Sequence, residues 1–388
     1  MDARRLVILG STGSIGRSTL EVIVDHPGAF EIRALAAHSD VEGLEQQYHR
    51  FRPEYLGVVD PDQGKRLAER LSGEPVTVVV GEDELVRLAA LPGVDMVVNA
   101  VVGAAGLRAS LEAVRNGRPL ALANKESLVA GGPLFEPLMK QYGGTILPID
   151  SEHSALWQAL RAGKKEEIRR LIITASGGPF RTLPLEQFET VTARQALEHP
   201  TWKMGAKITI DSATLTNKGL EVIEAVALFG VPVEQVLVVV HPQSVVHSMV
   251  EYVDSSVIAQ LSAPDMRLPI CYALFWPARV ESGFGRLDFE KMANLTFEPP
   301  DFQRFPSLQL AFEAARVGGT APAVFNAANE VAVQAFLDGA IRFTLIADIQ
   351  KNSLDEIMVV SEPGFEDILQ ADRMARELAT RKVREVTC

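Results

Sequence analysis

The sequence has few cysteines, no long apolar run and no excess of positive charge. Its only cysteines, Cys271 and Cys388, exclude a disulfide framework or zinc-type spacing and are typical of a reducing compartment. No apolar stretch approaches the roughly 20 residues that span a bilayer. The formal net charge of -12 argues against broad binding to nucleic acid or to an anionic membrane. We therefore expect neither as a partner.

What remains is the composition of a globular protein, with 47% apolar and 23% charged residues. A length of 388 residues predicts two to three domains and a large core. A strand pattern begins at Leu6, so we expect no signal or transit peptide ahead of it. Together these features favour a cytoplasmic enzyme.

Apolar runs alternate with helical patterns along residues 1–150. This alternation predicts an α/β fold in which a doubly wound parallel sheet has right-handed crossovers. The predicted strands lie at residues 6–9, 32–37, 56–59, 76–80, 96–100, 120–123 and 145–149.

A glycine-rich turn, GSTGSIG, joins the first strand to the first helix. Gly10, Gly13 and Gly16 would let the backbone approach a pyrophosphate, and the helix N-terminus would supply N–H groups and a positive dipole end. The alternative is a tight strand–helix turn that binds no ligand.

The end of the second predicted strand bears on the choice of cofactor. An enzyme that uses NAD usually has a carboxylate there for the ribose 2′-hydroxyl, and Ala36 and Ala37 cannot fill that role. His38 and Ser39 could instead receive a 2′-phosphate, which favours NADP, although Asp40 follows directly.

A pair of carboxylates, Asp150 and Glu152, follows the last predicted strand. If the backbone stays extended, both side chains point to the same face, and a cation such as Mg2+ or Mn2+ would relieve their repulsion. The alternative is a polar strand end that caps the next helix through Ser151 or Ser154.

Two loops of the middle segment are candidates for ligand binding. Ser176 and the two glycines after it follow a predicted strand and form a reasonable phosphate cradle, although an ordinary strand-to-loop turn explains this segment better when it is taken alone. Residues 199–205, HPTWKMG, are too polar for core and could close over a reaction. Otherwise Trp202 is a packing plug and His199 is structural.

A helical pattern begins near Asn217. On one helix, Asn217 and Lys218 lie four and three residues before Glu221, so the three side chains share a face, with Ser212 just upstream. This set suits a metal and a polyol phosphate. The alternative is a solvated face with an ordinary Lys–Glu pair.

Taken together, the motifs resemble those of the 1-deoxy-D-xylulose 5-phosphate reductoisomerase family over nearly the whole chain. The matching segments are GSTGSIG, ANKESLV at 123–129, PIDSEHSA at 148–155, TASGGPF at 174–180, HPTWKMG at 199–205, the 211–221 block, APDMRLPI at 263–270 and FNAANEVAV at 325–333.

The resemblance implies a fold and an assembly. It implies a Rossmann-like NADP-binding domain at residues 1–149 and a central α+β domain for catalysis and dimerisation at 150–275. A linker at 276–301 and a C-terminal α-helical domain at 302–388 would complete a homodimer. The linker is rich in Pro and Gly, and the helical pattern from Leu308 reads as a structural cap.

The resemblance also implies roles for individual residues. Asp150, Glu152 and Glu221 would hold the metal, and catalysis would further involve Lys125 and His199. The implied substrate contacts are Lys125, Ser151, Glu152, Ser176, His199, Trp202, Ser212, Asn217, Lys218 and Glu221, with the phosphate near Ser176, Ser212 and Asn217. The implied cofactor contacts are Thr12, Gly13, Ser14, Ile15, Asn124, Glu126, Met204 and Gly205, with His38 and Ser39 where many relatives have a basic residue.

The implied reaction converts 1-deoxy-D-xylulose 5-phosphate to 2-C-methyl-D-erythritol 4-phosphate in the non-mevalonate isoprenoid pathway. NADPH and Mg2+ or Mn2+, or else Co2+, would be the cofactors. One alternative is an NADP dehydrogenase of another sugar phosphate with no skeletal change. The other is a catalytically silent NADP-binding sensor, which should have lost some of the three metal-binding carboxylates, whereas this sequence retains them all.

Overall fold

The computed structural model describes residues 3–202, 204–292 and 294–387. The chain forms two compact units that do not follow chain order. The first comprises residues up to Ser127, then 135–154 and 265–285, and the second comprises 128–134, 155–264 and the residues from Arg286 onwards.

The strands form one sheet in each unit. They are β1 Arg4–Leu9, β2 Phe30–Ala37, β3 Tyr55–Val58, β4 Thr77–Val80, β5 Met96–Asn99, β6 Pro119–Leu122, β7 Thr145–Pro148, β8 Ile168–Ala175, β9 Val236–Val240, β10 Val246–Tyr252 and β11 Val257–Leu261.

The α-helices fill the intervals between strands and most of the C-terminal part. They are α1 Ser14–Asp25, α2 Val41–Phe51, α3 Pro61–Arg70, α4 Glu82–Ala89, α5 Leu107–Arg115, α6 Lys125–Tyr142, α7 Ser151–Ala159, α8 Ala193–Ala196, α9 Ala206–Ala213, α10 Thr216–Phe229, α11 Arg267–Phe275, α12 Pro306–Val317, α13 Ala321–Leu337, α14 Leu345–Glu356 and α15 Phe365–Thr387. In the described part of the chain, no helix is both long and apolar enough to cross a membrane.

The first unit contains a parallel seven-stranded sheet in the order β4-β3-β2-β1-β5-β6-β7. Residues 6–9 of the central strand are fully buried, because helices cover both faces of such a sheet. The strand order reverses between β1 and β5, and ligands of doubly wound sheets bind beyond the carboxyl ends of the strands at that point. All seven predicted strands are confirmed to within two residues at either end.

The second unit contains a four-stranded sheet in the order β11-β10-β8-β9. β8 is an inner strand that pairs in parallel with β9 and antiparallel with β10. The core of the unit includes an aromatic cluster in which Phe180, Phe188 and Phe336 lie 5.2 to 5.8 Å from the ring of Phe343. This rigid packing holds the carboxyl end of β8, where Ser176 follows.

The C-terminal helices confirm the α-helical segment that the sequence predicts. α13 is largely buried along its length, and it packs against α12, α14 and α15. α10 approaches α12 so closely that a Cβ on Gly219 would lie 2.4 Å from the Cβ of Ala311. The helix bearing Asn217 and Glu221 is therefore fixed against the C-terminal helices.

Candidate active site

Two glycines of the turn after β1 are required by the packing of the backbone itself. Gly10 has a φ of +81°, and a Cβ there would lie 2.4 Å from the carbonyl oxygen of Ala100. A Cβ on Gly16 would lie 2.3 Å from the oxygen of Gly10. Any side chain at either position would force the strand, the turn and α1 apart.

The third glycine leaves the start of α1 open. Gly13 is the N-cap residue and supplies no side-chain cap. The first N–H groups of a helix have no partner within the helix, so an anion can bind them. Gly13 and Ser14 are exposed, and Thr12 and Ile15 are half-buried. The turn thus fits the pyrophosphate of a dinucleotide.

Asp40, which follows the end of β2, caps a helix and forms an ion pair. Its carboxylate caps α2, accepting from the N–H of Gly43 at 2.9 Å, and it pairs with Arg17 at 3.5 Å. His38 and Ser39 are exposed. Asp40 is therefore engaged as a helix cap, and Arg17 adds a basic group at this strand end that sequence reasoning missed.

Asn124 and Glu126 begin α6 and are buried. The Asn124 side chain caps the helix by accepting from Ser127 N–H at 3.0 Å. Its amide donates to the carbonyl oxygens of Val101 and Gly103, both at 2.8 Å. Asn124 thus fixes the loop after β5 at the edge of the sheet, and its contact with the cofactor remains a prediction.

Lys125 and Asp150 form a partly buried ion pair in the first unit. His153 Nδ1 lies 3.6 Å from the same carboxylate oxygen. Burial alone would raise the pKa of Asp150, but the charge of Lys125 and the neighbouring His153 hold that pKa well below its usual value. Asp150 is therefore available as an anionic oxygen donor.

The extended geometry predicted for Asp150 and Glu152 is wrong. α7 begins at Ser151, and the Asp150 carbonyl oxygen accepts from Ser154 N–H at 2.8 Å. Helix forms here because the apolar residues of 155–159 recur at helical spacing and are buried. Glu152 lies in the first turn and accepts from the Ser151 hydroxyl. The predicted serine caps are also wrong, since Ser151 and Ser154 lie inside the helix.

Ser176 and His199 are in contact in the second unit. His199 Nε2 lies 3.0 Å from Ser176 Oγ, and Nδ1 accepts from the N–H groups of Thr201 at 3.1 Å and Trp202 at 2.9 Å. Because Nδ1 accepts, the proton of the neutral ring is on Nε2. Burial lowers the pKa of His199 and favours this neutral form. Ser176 Oγ also accepts from Gly178 N–H at 3.3 Å, so its own hydrogen can be donated to a ligand.

The Ser176 turn packs directly against α9. Gly178 has a φ of +66°, and a Cβ there would lie 2.6 Å from the carbonyl oxygen of Ser212. This close approach places Ser212 beside the turn that bears Ser176.

The face shared by Asn217, Lys218 and Glu221 is confirmed. Asn217 Nδ2 donates to Glu221 Oε1 at 2.5 Å, and Lys218 donates to the other carboxylate oxygen. Lys218 and Glu221 are buried, so the alternative of a solvated face is wrong. Asn217 Oδ1 is also buried and has no hydrogen-bond partner within the described residues. Ser212, by contrast, lies on the preceding helix α9, which ends at Ala213.

The predicted lid, residues 199–205, has no helix or strand in its described part. Trp202 is half-buried, with its ring 6.5 Å from that of His247, and Met204 is half-buried. Gly205 is the N-cap of α9. Lys203 lies outside the described residues.

Sequence reasoning missed several residues that support the site. His153 lies three residues after Asp150, and recognising the helix would have found it. Arg17 faces the end of β2 from α1. Asp211 is buried in α9 and accepts a hydrogen bond from Asn329 of α13, a distant partner for which local sequence gives no signal.

Comparisons with known proteins identify the family. The family model described as 1-deoxy-D-xylulose 5-phosphate reductoisomerase matches residues 6–132, and models of its C-terminal domains match 146–229 and 261–378. The reductoisomerase of Chlorobium chlorochromatii is 54% identical over 97% of this chain and 98% of the relative. The chain belongs to the 1-deoxy-D-xylulose 5-phosphate reductoisomerase family. It is therefore an enzyme, an oxidoreductase.

Further relatives and solved structures of the family agree. The reductoisomerase of Chlorobaculum tepidum is 53% identical over 98% of this chain and 100% of the relative. The structure of the Zymomonas mobilis reductoisomerase in complex with NADPH is 45% identical, with a TM-score of 0.92 over 98% of this chain and 99% of that one. A reductoisomerase in complex with NADPH, fosmidomycin and magnesium is 42% identical, with a TM-score of 0.95 over 99% of both chains.

Proposed function

We propose that this chain converts 1-deoxy-D-xylulose 5-phosphate to 2-C-methyl-D-erythritol 4-phosphate with NADPH and a divalent metal ion. This reaction would serve the non-mevalonate route to isoprenoids. The observation that carries the proposal is identity of 54% to a reductoisomerase over 97% of the chain. Solved relatives are complexes with NADPH and with magnesium.

The residues we assign as metal ligands are Asp150, Glu152 and Glu221. All three are oxygen donors of the kind that Mg2+, Mn2+ and Co2+ bind. The half-buried Asp150 and the buried Glu221 face the ammonium groups of Lys125 and Lys218, respectively, and these charges compensate for the removal of the carboxylates from water. The donor set therefore fits a hard divalent cation, which when bound supplies Lewis-acid polarisation of the substrate carbonyl.

The phosphate of the substrate binds to Ser176, Ser212 and Asn217. His199 donates to Ser176 Oγ through Nε2, so the Ser176 hydroxyl hydrogen is directed at a phosphate oxygen. Lys218 adds a positive charge in a buried setting. A phosphate held away from the reacting carbons contributes binding energy that fixes their position.

Lys125 and Ser151 contact the hydroxyl and carbonyl end of the substrate. The Lys125 ammonium keeps Asp150 ionised, and its positive charge attracts an oxygen of the substrate. Ser151, at the start of α7, donates to Glu152 and so orients that carboxylate.

NADPH binds at the carboxyl edge of the seven-stranded sheet, with its pyrophosphate at the open N-terminus of α1. His38, Ser39 and Arg17 surround the 2′-phosphate. The remaining contacts are Thr12, Gly13, Ser14, Ile15, Asn124 and Glu126, with Met204 and Gly205 beside the nicotinamide.

Residues 199–205 form a lid over the bound substrate. Trp202 covers the methyl end, and closure excludes water, which strengthens the polar contacts inside. The absence of helix or strand in the described part of this segment supports a loop that can move.

The functional form is a cytoplasmic homodimer. β11 is an edge strand on which Val257 and Ile258 are 47% and 39% exposed, and Val253, in the turn before it, is 62% exposed. Exposed apolar edge strands pair with other strands, so we infer that β11 packs against a second copy of this protein. Light scattering in solution would test the dimer.

Cys271 is a buried free thiol, which suits a reducing compartment.

The metal assignment is tested by Asp150→Asn and Glu221→Gln. Both variants should lose turnover and its response to added Mg2+, while NADPH binding, followed by fluorescence, and thermal unfolding stay close to those of the wild type. Asp95→Asn is the matched control, because Asp95 is an ion-paired carboxylate of the first unit with no role in the site. Full turnover in either ligand variant, or equal loss in Asp95→Asn, would refute the assignment.

A further inference from the structure

A buried chain of hydrogen bonds joins the C-terminal helices to the corner between α9 and α10. Gln350 on α14 donates to Asn329 Oδ1 at 2.8 Å and to Thr216 Oγ1 at 3.3 Å. Asn329 on α13 donates to Asp211 Oδ1 at 2.8 Å. The other oxygen of Asp211 pairs with Lys207 at 2.9 Å. Asp211, Thr216, Asn329 and Gln350 are all at most 1% exposed.

The donor and acceptor groups of the side chains fix the direction of each hydrogen bond in this series. The Asp211 carboxylate only accepts hydrogen bonds, so Asn329 must turn its Nδ2 toward Asp211. The Asn329 carbonyl oxygen then faces Gln350, which must present Nε2. Each amide therefore has one orientation that satisfies its neighbours, although the buried Gln350 Oε1 has no hydrogen-bond partner within the described residues.

These hydrogen bonds hold the corner between α9 and α10, which sets the position of two residues proposed to bind the substrate. It consists of Thr214, Leu215 and Thr216, and Leu215 has a φ of +57°, a left-handed conformation that side chains disfavour. The Thr214 and Thr216 hydroxyl oxygens lie 2.7 Å apart. Ser212 precedes the corner and Asn217 follows it, so the corner sets their relative position.

We propose that Asn329 and Gln350 are positioning residues for the phosphate end of the substrate. Asn329 acts through Asp211 at the end of α9, and Gln350 acts through Thr216 at the start of α10. The proposal rests on the assignment of Ser212 and Asn217 to the phosphate given above. It gives the C-terminal helices a part in substrate recognition, where their sequence suggested a structural cap.

A purely structural role makes a different prediction. If these amides only stabilised the core, their loss would lower thermal stability and the amount of active enzyme, but KM for the sugar phosphate would not change. A positioning role changes KM for that substrate and leaves KM for NADPH unaltered, because most of the proposed cofactor contacts lie in residues 12–39 and 124–126. Met204 and Gly205 lie before α9, at the opposite end of that helix from Asp211.

The test measures both KM values, kcat and inhibition by inorganic phosphate for Asn329→Ala and Gln350→Met. The control is Asn326→Ala, because Asn326 is equally buried on the same helix but donates to Glu330 within it at 3.0 Å. Losing the buried hydrogen bond from Asn329 to the charged Asp211 predicts a rise of about tenfold in KM for the sugar phosphate, and losing the neutral hydrogen bonds of Gln350 predicts a smaller rise. Inhibition by phosphate should weaken in parallel, while KM for NADPH stays unchanged and the control resembles the wild type.

Three outcomes would overturn the proposal: an unchanged KM for the sugar phosphate, an equal rise in both KM values, or the same rise in Asn326→Ala. Gln350→Met decides the question if Asn329→Ala does not fold, since it keeps the length of the side chain. A wild-type enzyme that does not turn over the sugar phosphate would instead refute the proposed function, which separates the two failures.

Discussion

The imidazole of His199 donates from Nε2 to the hydroxyl of Ser176, 3.0 Å away. The other ring nitrogen accepts two backbone N–H groups of its own loop. One neutral tautomer therefore connects the 199–205 loop to the turn that is proposed to bind phosphate.

Acidification should weaken substrate binding through His199. Burial lowers the pKa of His199 below its usual 6.5, so the ring is neutral at pH 7 and is protonated only as the pH falls through that lowered value. Protonation removes the acceptor at Nδ1 and breaks both loop hydrogen bonds. KM for the sugar phosphate should thus rise on the acid side of 6.5. The stability due to the lowered pKa is also fully present above 6.5 and is lost as pH falls through the folded pKa.

The substrate phosphate titrates in the same range, since its second pKa is about 6. The measurement therefore compares the pH dependence of KM for the sugar phosphate in the wild type and in His199→Asn. Titration of the substrate phosphate affects both enzymes equally, so a difference between them is due to His199. Parallel profiles would show that His199 does not contribute.

Replacing Lys125 should shift the acid limb of the activity profile. Burial raises the pKa of Asp150, and Lys125 is the largest influence that lowers it. In Lys125→Met the carboxyl should be protonated at a higher pH, so kcat/KM should fall earlier on acidification as well as being lower throughout. Lys140→Met is the control, because Lys140 forms an exposed pair with Glu136 on the same helix. An acid limb at the wild-type position would contradict this account.

Gly178→Ala should separate Ser176 from Ser212. The left-handed φ costs about 1–3 kcal/mol for a side chain, and the Cβ would also collide with the Ser212 carbonyl oxygen. Gly339→Ala carries a similar φ penalty, with a φ of +74° and no atom within 4 Å of its Cβ. Chemical denaturation should show a larger loss for Gly178→Ala, and only that variant should show a raised KM. Equal losses in the two variants would mean that the close approach has no consequence.

Arg17→Ala should reduce the preference for NADPH over NADH. Arg17 is exposed and lies at the end of β2, where its contact with Asp40 is long, at 3.5 Å, and leaves its charge available to a 2′-phosphate. The ratio of kcat/KM for the two cofactors should fall, mainly through KM for NADPH. Arg66→Ala removes an exposed arginine paired with Glu42 and should leave the ratio unchanged. An unaltered ratio in Arg17→Ala would assign the 2′-phosphate to His38 and Ser39 alone.

The sequence predicts the seven-stranded sheet well because its strands are short apolar runs separated by helices, a pattern that is local. The face formed by Asn217, Lys218 and Glu221 is also local, since it depends only on helical spacing. The predicted extended geometry at Asp150 is wrong because a D-x-E pattern is compatible with both a strand and the start of a helix. Burial of the apolar residues that follow stabilises the helix.

Long-range contacts could not be predicted from the pattern. Asn329 and Asp211 are 118 residues apart in the chain, and an asparagine within an apolar helix gives no sign of its partner. Arg17 on α1 and Asp40 after β2 come into contact only because α1 packs on the sheet that contains β2. Tertiary packing, which periodicity does not encode, places such residues.

The most direct test of the central claim follows NADPH oxidation with 1-deoxy-D-xylulose 5-phosphate, with Mn2+ or Mg2+ and with a chelator, and identifies the product by carbon NMR. The account predicts oxidation that requires both the metal and the sugar phosphate, and a product with a branched methyl carbon. Oxidation that persists in chelator, an unbranched product, or no oxidation under any of these conditions would contradict it.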